Sequence, residues 1–214
     1  GVDMIETDIR LSKDGVPMLM HDADVSRTTN GSGLLCEKTY DELRALRIAG
    51  TEQIPSLEEF LALCAPVEGF LLDLEMKVYT HVEGEAEAYR AVEKTVALIE
   101  KYNLDGRILF NSFDARVLSY IRRTYGDRFL LHGYYPYSKM SNVEGDPAPL
   151  LDYACYWGTG DDARAACEFL IAHGIAPCTG CHSTEENFRL SASFGCAMFT
   201  ENNPAEALRW RDTL

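Results

Sequence analysis

Short apolar runs alternate with stretches of helical periodicity from one end of the chain to the other. Strand-like runs fall at Val2–Ile9, Phe70–Met76, Arg107–Asn111, Phe129–His132, Ala154–Trp157, Ile175–Cys178 and Ala197–Thr200. Helix-like stretches fall at Thr39–Leu46, Leu57–Cys64, Gly84–Tyr102, Ala115–Thr124, Asp162–His173, Thr184–Phe194 and Ala205–Arg211. Several carry start or stop signals: Ser56 stands before Leu57-Glu58-Glu59, Gly174 follows His173, and Pro204 opens the last helix. Alternating β and α units with short connections predict a parallel sheet wrapped by helices.

Two features interrupt the alternation. Lys13-Asp14-Gly15 separates Ile9 from the extended run Val16–His21, an Asp-Gly turn that predicts a hairpin. Arg27-Thr28-Thr29-Asn30-Gly31-Ser32-Gly33 follows, a polar loop that reads either as a functional segment at a barrel mouth or as plain surface. Seven main strands are visible, whereas a closed (β/α)8 barrel has eight over ~250 residues. The pattern therefore predicts an α/β fold of TIM-barrel type with a small hairpin insertion and its first β/α unit missing. That unit is expected before Gly1, because Gly1-Val2-Asp3-Met4-Ile5 reads as the inside of a strand. No linker, repeat or low-complexity run divides residues 1–214, which are expected to form a single barrel domain.

Composition narrows the field of functions. With 214 residues, 46% of them hydrophobic, the chain can bury one substantial core. Its formal charge of −14, from 34 acidic and 20 basic residues, repels phosphate backbones and argues against a nucleic-acid partner. The same excess suits a site that holds a divalent cation. Seven cysteines, at 36, 64, 155, 167, 178, 181 and 196, form no disulfide framework and favour a reducing, cytoplasmic compartment. No stretch reaches the ~20 apolar residues of a membrane span.

The chemistry concentrates in carboxylates. Glu6 and Asp8 lie two apart in the first strand, so both leave the same face, roughly 7 Å apart. Met4 shares that face, while Ile5 and Ile9 point toward the covering helices. In Leu72-Asp73-Leu74-Glu75-Met76-Lys77 the acids and the lysine share one face and the apolar residues the other. In a barrel those polar faces line the lumen near its C-terminal rim, where enzymes on this fold place their sites. Unpaired acids buried there cost several kcal/mol each. A hard divalent ion with all-oxygen ligation removes that penalty, and so does an ion-pair network with Lys77 and a nearby arginine. His21, at the end of the hairpin's second arm, reads either as structural or as an acid–base group beside the acids.

Further segments carry open readings. His132-Gly133-Tyr134-Tyr135-Pro136-Tyr137 follows a strand and suits substrate contact, a lid or a partner surface. Cys178-x-x-Cys181-His182 matches haem-attachment, zinc and redox spacings, but it has no second Cys pair, and plain thiols lining a loop are the better reading.

Taken together, Gly1 to Pro17, Met20-His21-Asp22, Arg27 to Gly33, Ile54-Pro55-Ser56-Leu57-Glu58-Glu59, Leu72 to Lys77 and Asn111-Ser112-Phe113-Asp114 resemble the glycerophosphodiester phosphodiesterase family, in the family's order. The resemblance implies that Glu6, Asp8 and Glu75 are ligands of one divalent cation, Mg²⁺ or Ca²⁺. It implies that His21 is one of a catalytic histidine pair and that Lys77 neutralises the substrate phosphate or a ligand carboxylate. The implied reaction is hydrolysis of small-molecule glycerophosphodiesters to glycerol 3-phosphate and an alcohol, a step of lipid metabolism, and it leaves room for a homo-oligomer. Three departures stand out. The family's His-Arg-Gly strand is absent, Pro177-Cys178-Thr179-Gly180-Cys181-His182 replaces a tryptophan-containing motif, and the late Thr-Asp pair reads Thr200-Glu201. The alternative is a catalytically silent barrel that binds a phosphorylated ligand or a partner protein.

Overall fold

The computed structural model describes residues 1–214. Helix starts are set by side-chain caps: Thr39 and Ser56 each accept from the third backbone N–H of their helix, and Glu42 and Glu59 reach back to the cap. The elements are β1 (Met4–Leu11), β2 (Pro17–Leu19), α1 (Tyr40–Ala45), α2 (Leu57–Cys64), β3 (Leu71–Met76), α3 (Glu85–Lys101), β4 (Ile108–Asn111), α4 (Ala115–Tyr125), β5 (Leu130–Tyr134), β6 (Tyr153–Cys155), α5 (Asp161–Ala172), β7 (Ala176–Gly180), α6 (Glu185–Ser193), β8 (Met198–Thr200) and α7 (Pro204–Arg211). Every expected strand and helix is present, with ends shifted by a residue or two. No helix is long and apolar enough to cross a membrane.

One eight-stranded sheet runs β2-β1-β3-β4-β5-β6-β7-β8. β2 is antiparallel to β1, the hairpin expected from Asp14-Gly15, and all other pairings are parallel. The sheet curls as a TIM-type barrel does but stays open, because β8 and β1 are not paired. A cavity of about 750 Å³ separates them, lined by Met4 and Glu6 on one side and by Met198 and Thr200 on the other.

Outward faces bury against the helices. Ile9, Leu72, Leu74, Met76 and Phe110 are fully buried in a core of 35 residues shared with α2 to α5. A second cluster (Met18, Met20, Val25, Leu35, Leu43 and Ile54) lies under the long loop after the hairpin. That loop is therefore built largely on structural grounds: Asn30 Oδ1 accepts from Arg47 N at 2.8 Å, and Asp24 caps the turn at Ser26.

The last pairing depends on one small residue. A Cβ at Gly180 would stand 2.1 Å from the Thr200 carbonyl oxygen, inside the β7–β8 ladder. Gly180→Ala is expected to push these strands apart and to lower stability by roughly 1–3 kcal/mol in a urea titration, without changing the helical circular-dichroism signal. An unchanged midpoint would show that β7 and β8 are free to separate.

Candidate metal and phosphate site

Register places the acids. Glu6 pairs with Asp73 and Asp8 with Glu75 across β1 and β3, so four carboxylates face the lumen from two adjacent strands. Oxygens of Glu6, Asp8 and Glu75 lie within 4.8 Å of one another. Lys77 Nζ stands 2.6 Å from Glu75 Oε1 and 3.3 Å from Asp8 Oδ1. The ion-pair network and the acidic triad therefore coexist in one cluster. No arginine joins it. Arg10 instead donates to the backbone carbonyls of His21 and Lys77.

One ammonium does not balance these charges. Burial, then repulsion from Asp8, Asp73 and Glu75, pushes the Glu6 carboxyl up to about 8. Glu6 still meets solvent along the open side of the barrel, but the protein packed around it is enough to disfavour its charge. Glu75 is also raised by burial, with Lys77 opposing the shift. Asp73 Oδ1 and Glu75 Oε1 are buried without a hydrogen bond; the short contact of Glu75 to Lys77 is an ion pair lacking hydrogen-bond alignment. The converging hard oxygens of Glu6, Asp8 and Glu75, with the partnerless Asp73 Oδ1 on the same face, fit a divalent ion of the Mg²⁺ or Ca²⁺ type.

His21 sits beside this cluster, held by its backbone. Met20 N donates to the Asp8 carbonyl at 3.1 Å, and Arg10 grips the His21 carbonyl at 2.9 and 3.1 Å. The ring is exposed, with Nδ1 2.7 Å from Asp22 Oδ1. Arg27, and to a lesser extent His21, hold the Asp22 carboxyl well below its usual range, so it can only accept. Nδ1 then carries the proton, and Nε2 is left free at the mouth. Arg27, at the start of the polar loop, thus supports the histidine through Asp22.

Two residues of segments already marked in the sequence gain their partners only from the fold. His132 Nδ1 lies 3.0 Å from Asp73 Oδ2, both almost fully buried in the lumen, and His132 Nε2 has no partner. Its signal in the sequence was the strand parity it shares with Tyr134. Asp114 is buried and accepts from Thr80 N and Oγ1 at 2.7 Å, from Arg116 N at 3.0 Å and from Asn142 Nδ2 at 3.1 Å. It ties the rim segments after β3, β4 and β5 together.

The residues of Cys178-x-x-Cys181-His182 part company. Cys178 is buried in β7, Cys181 is exposed on the rim, and both His182 ring nitrogens are engaged. Nδ1 is 2.5 Å from Glu201 Oε1, and Nε2 is 2.9 Å from Ser191 Oγ. This Ser–His–Glu series resembles a nucleophile triad, but Ser191 is fully buried, so it locks α6 to the rim rather than presenting a nucleophile.

Fold and cluster together define an open α/β barrel with an acidic mouth. The chain belongs to the glycerophosphoryl diester phosphodiesterase family, whose model matches residues 1–155, a span holding every residue of the cluster. It is similar to the human protein glycerophosphodiester phosphodiesterase 1, 29% identical over 171 residues, covering 73% of this chain and 46% of that protein. Glycerophosphodiester phosphodiesterase of Caldanaerobacter subterraneus subsp. tengcongensis is 34% identical over 126 residues, covering 53% and 47%. The chain thus spans about half the length of these curated relatives. Among solved structures, a phosphodiesterase from Oleispira antarctica, in complex with the product sn-glycerol-3-phosphate, superposes with a TM-score of 0.81 at 20% identity, covering 99% of this chain and 86% of that one. A glycerophosphoryl diester phosphodiesterase from Silicibacter pomeroyi gives the same TM-score at 20% identity, covering 98% and 83%. At that identity the likeness is one of fold.

A carboxyl raised from 4.5 to about 8 holds a proton that a cation bound through Glu6 would have to displace. Calorimetric titration with Mg²⁺ or Ca²⁺ should therefore show proton release at neutral pH and affinity that climbs until about pH 8. Metal-free protein should lose stability as pH rises through the same window, because the folded state there holds more protons than the unfolded chain. Affinity independent of pH would contradict the assignment of Glu6.

Proposed function

We propose that the chain carries the site of a metal-dependent glycerophosphodiester phosphodiesterase, cleaving small-molecule glycerophosphodiesters to glycerol 3-phosphate and an alcohol. The observation that carries this reading is the convergence of Glu6, Asp8 and Glu75 within 4.8 Å, with Lys77 against two of them. Family membership supports it, as does the product named for the Oleispira antarctica structure.

Glu6, Asp8 and Glu75 would hold one divalent cation. When bound, it supplies polarisation of a phosphate oxygen and activation of an attacking hydroxyl. Lys77, anchored at the inner edge of the mouth, neutralises charge on the phosphate side. His21 moves a proton through its free Nε2, to the leaving alcohol or from the nucleophile, while Asp22 fixes the ring. Arg10 keeps the hairpin arm and the Lys77 segment together, so histidine and ammonium stay at a set spacing. The open side of the barrel next to Glu6 favours one other reading, a barrel that binds a phosphorylated ligand without turning it over.

Phosphorus NMR of the full-length protein with glycerophosphocholine and related diesters separates the two. Glu6→Gln, Asp8→Asn and Glu75→Gln are each expected to reduce turnover to background, as chelation does. His21→Ala is expected to lower turnover by roughly 10² or more with cation affinity unchanged. Full activity in all three carboxylate variants would sink the ligand assignment, and ligand binding without turnover in the wild type would establish the silent barrel.

A further inference from the structure

On the side of the acidic cluster away from the gap, three rings stand nearly parallel at the barrel mouth. Phe113 follows β4, Tyr134 closes β5 and Trp157 follows β6. Their strand parity matches that of Asn111, His132 and Cys155, so all three aim toward the lumen axis. Ring centroids of Phe113 and Tyr134 are 3.5 Å apart, those of Tyr134 and Trp157 5.5 Å, and those of Phe113 and Trp157 6.2 Å.

Each end of this wall carries an ammonium. Lys77 Nζ, the amine that pairs with Glu75 and Asp8, is 5.6 Å from the Phe113 centroid. Lys139 Nζ is 5.7 Å from that of Trp157. Tyr134 is buried, whereas Trp157 is 48% exposed and Lys139 is exposed without a carboxylate partner. The wall therefore runs outward from the phosphate side of the cluster and ends in an open indole with an uncompensated positive charge over it. Packing alone does not account for a large ring left half in water at that position.

We propose that this wall is the subsite for the alcohol half of the diester, and that Trp157 with Lys139 selects alcohols bearing an anionic group over those bearing a quaternary ammonium. The inference rests on the phosphodiesterase reading above and names its substrate class. A diester whose phosphate lies against Lys77 projects one ester arm along Phe113 and Tyr134. An apolar stem gains contact with the rings, and a carboxylate at its end meets Lys139. A choline group would seek the π face that Lys139 occupies and would meet a like charge there. The acids of the cluster face the inner end of the wall at Tyr134, whereas the ammonium of Lys139 stands over the indole at its outer end.

Two measurements test this. In the first, kcat/KM of the full-length protein is compared for glycerophosphoserine and glycerophosphocholine. The wild type is expected to favour the serine diester by roughly 10-fold, Lys139→Glu to reverse that order, and Trp157→Ala to raise KM for both with kcat little changed. In the second, residues 1–214 carrying Trp210→Phe keep Trp157 as the one indole of that span, and its fluorescence is titrated with each diester under chelation, where no turnover is needed. Tighter quenching by the serine diester, lost in Lys139→Glu, supports the subsite. No quenching by either, stronger quenching by the choline diester, or a discrimination that Lys139→Glu leaves unmoved overturns it. If no diester is hydrolysed, the catalytic reading falls, while the titration still decides whether this wall binds the alcohol half.

Discussion

Like charges crowded in one lumen are the constraint from which the rest of the structure follows. Parallel pairing of β1 with β3 sets Glu6 beside Asp73 and Asp8 beside Glu75, and the two-residue repeat of a strand sends all four inward. A slip of one residue in either strand would turn those acids into the helix-facing layer, where Ile9, Leu72, Leu74 and Met76 are completely buried. The apolar core thus enforces the register, and the register enforces the crowding. Lys77, the His132 contact to Asp73 and a raised Glu6 carboxyl each relieve part of it. The buried Oδ1 of Asp73, with no hydrogen-bond partner, is what is left over.

Rim loops then serve to hold chemistry steady around that charge. Arg10 spans the mouth through two carbonyls, and Asp114 collects donors from two loops and the first turn of α4 while remaining wholly buried. On the far side, Glu201 accepts from both the backbone and the ring of His182, fixing the β7–α6 connection against β8. These are backbone-positioning devices. They put an exposed side chain such as His21 on a loop whose path is fixed by side-chain contacts to the backbone, which is how a rigid barrel carries a variable mouth.

How much of this could be read in advance depended on distance along the chain. Helix α2 was legible to the residue because Ser56 and Glu59 form a local capping box. The inward set Glu6, Asp8, Asp73, Glu75 and Lys77 was legible because alternation within a strand needs no tertiary information. β2 was foreseen as a hairpin arm, but its antiparallel register on β1 comes from the turn at Asp14, where Ser12 Oγ donates to the aspartate and Tyr40 N binds the same oxygen from 26 positions away. The Asp73–His132 pair spans 59 positions and His182–Glu201 spans 19, and neither has a local pattern that announces its partner. The polar loop Arg27–Gly33 read as a candidate for function by composition. It serves mainly to cover Val25 and Leu35, and it contributes to the site only where Arg27 meets Asp22.

The mouth is consequently asymmetric. One flank of the acidic cluster is the open side between β1 and β8, with Met198 and Thr200 across a cavity from Glu6. The other is the aromatic row from Phe113 to Trp157, rigid because Tyr134 is buried and stacked on its neighbour. A phosphodiester has two unlike arms, one small and hydroxylated, the other variable. In the proposed reaction, an open flank lined largely by aliphatic side chains and a rigid flank of stacked rings would hold those arms differently before any bond is broken. Orientation would then come from the contrast between the flanks, while Lys77, ion-paired with the acids and over the ring of Phe113, belongs to both.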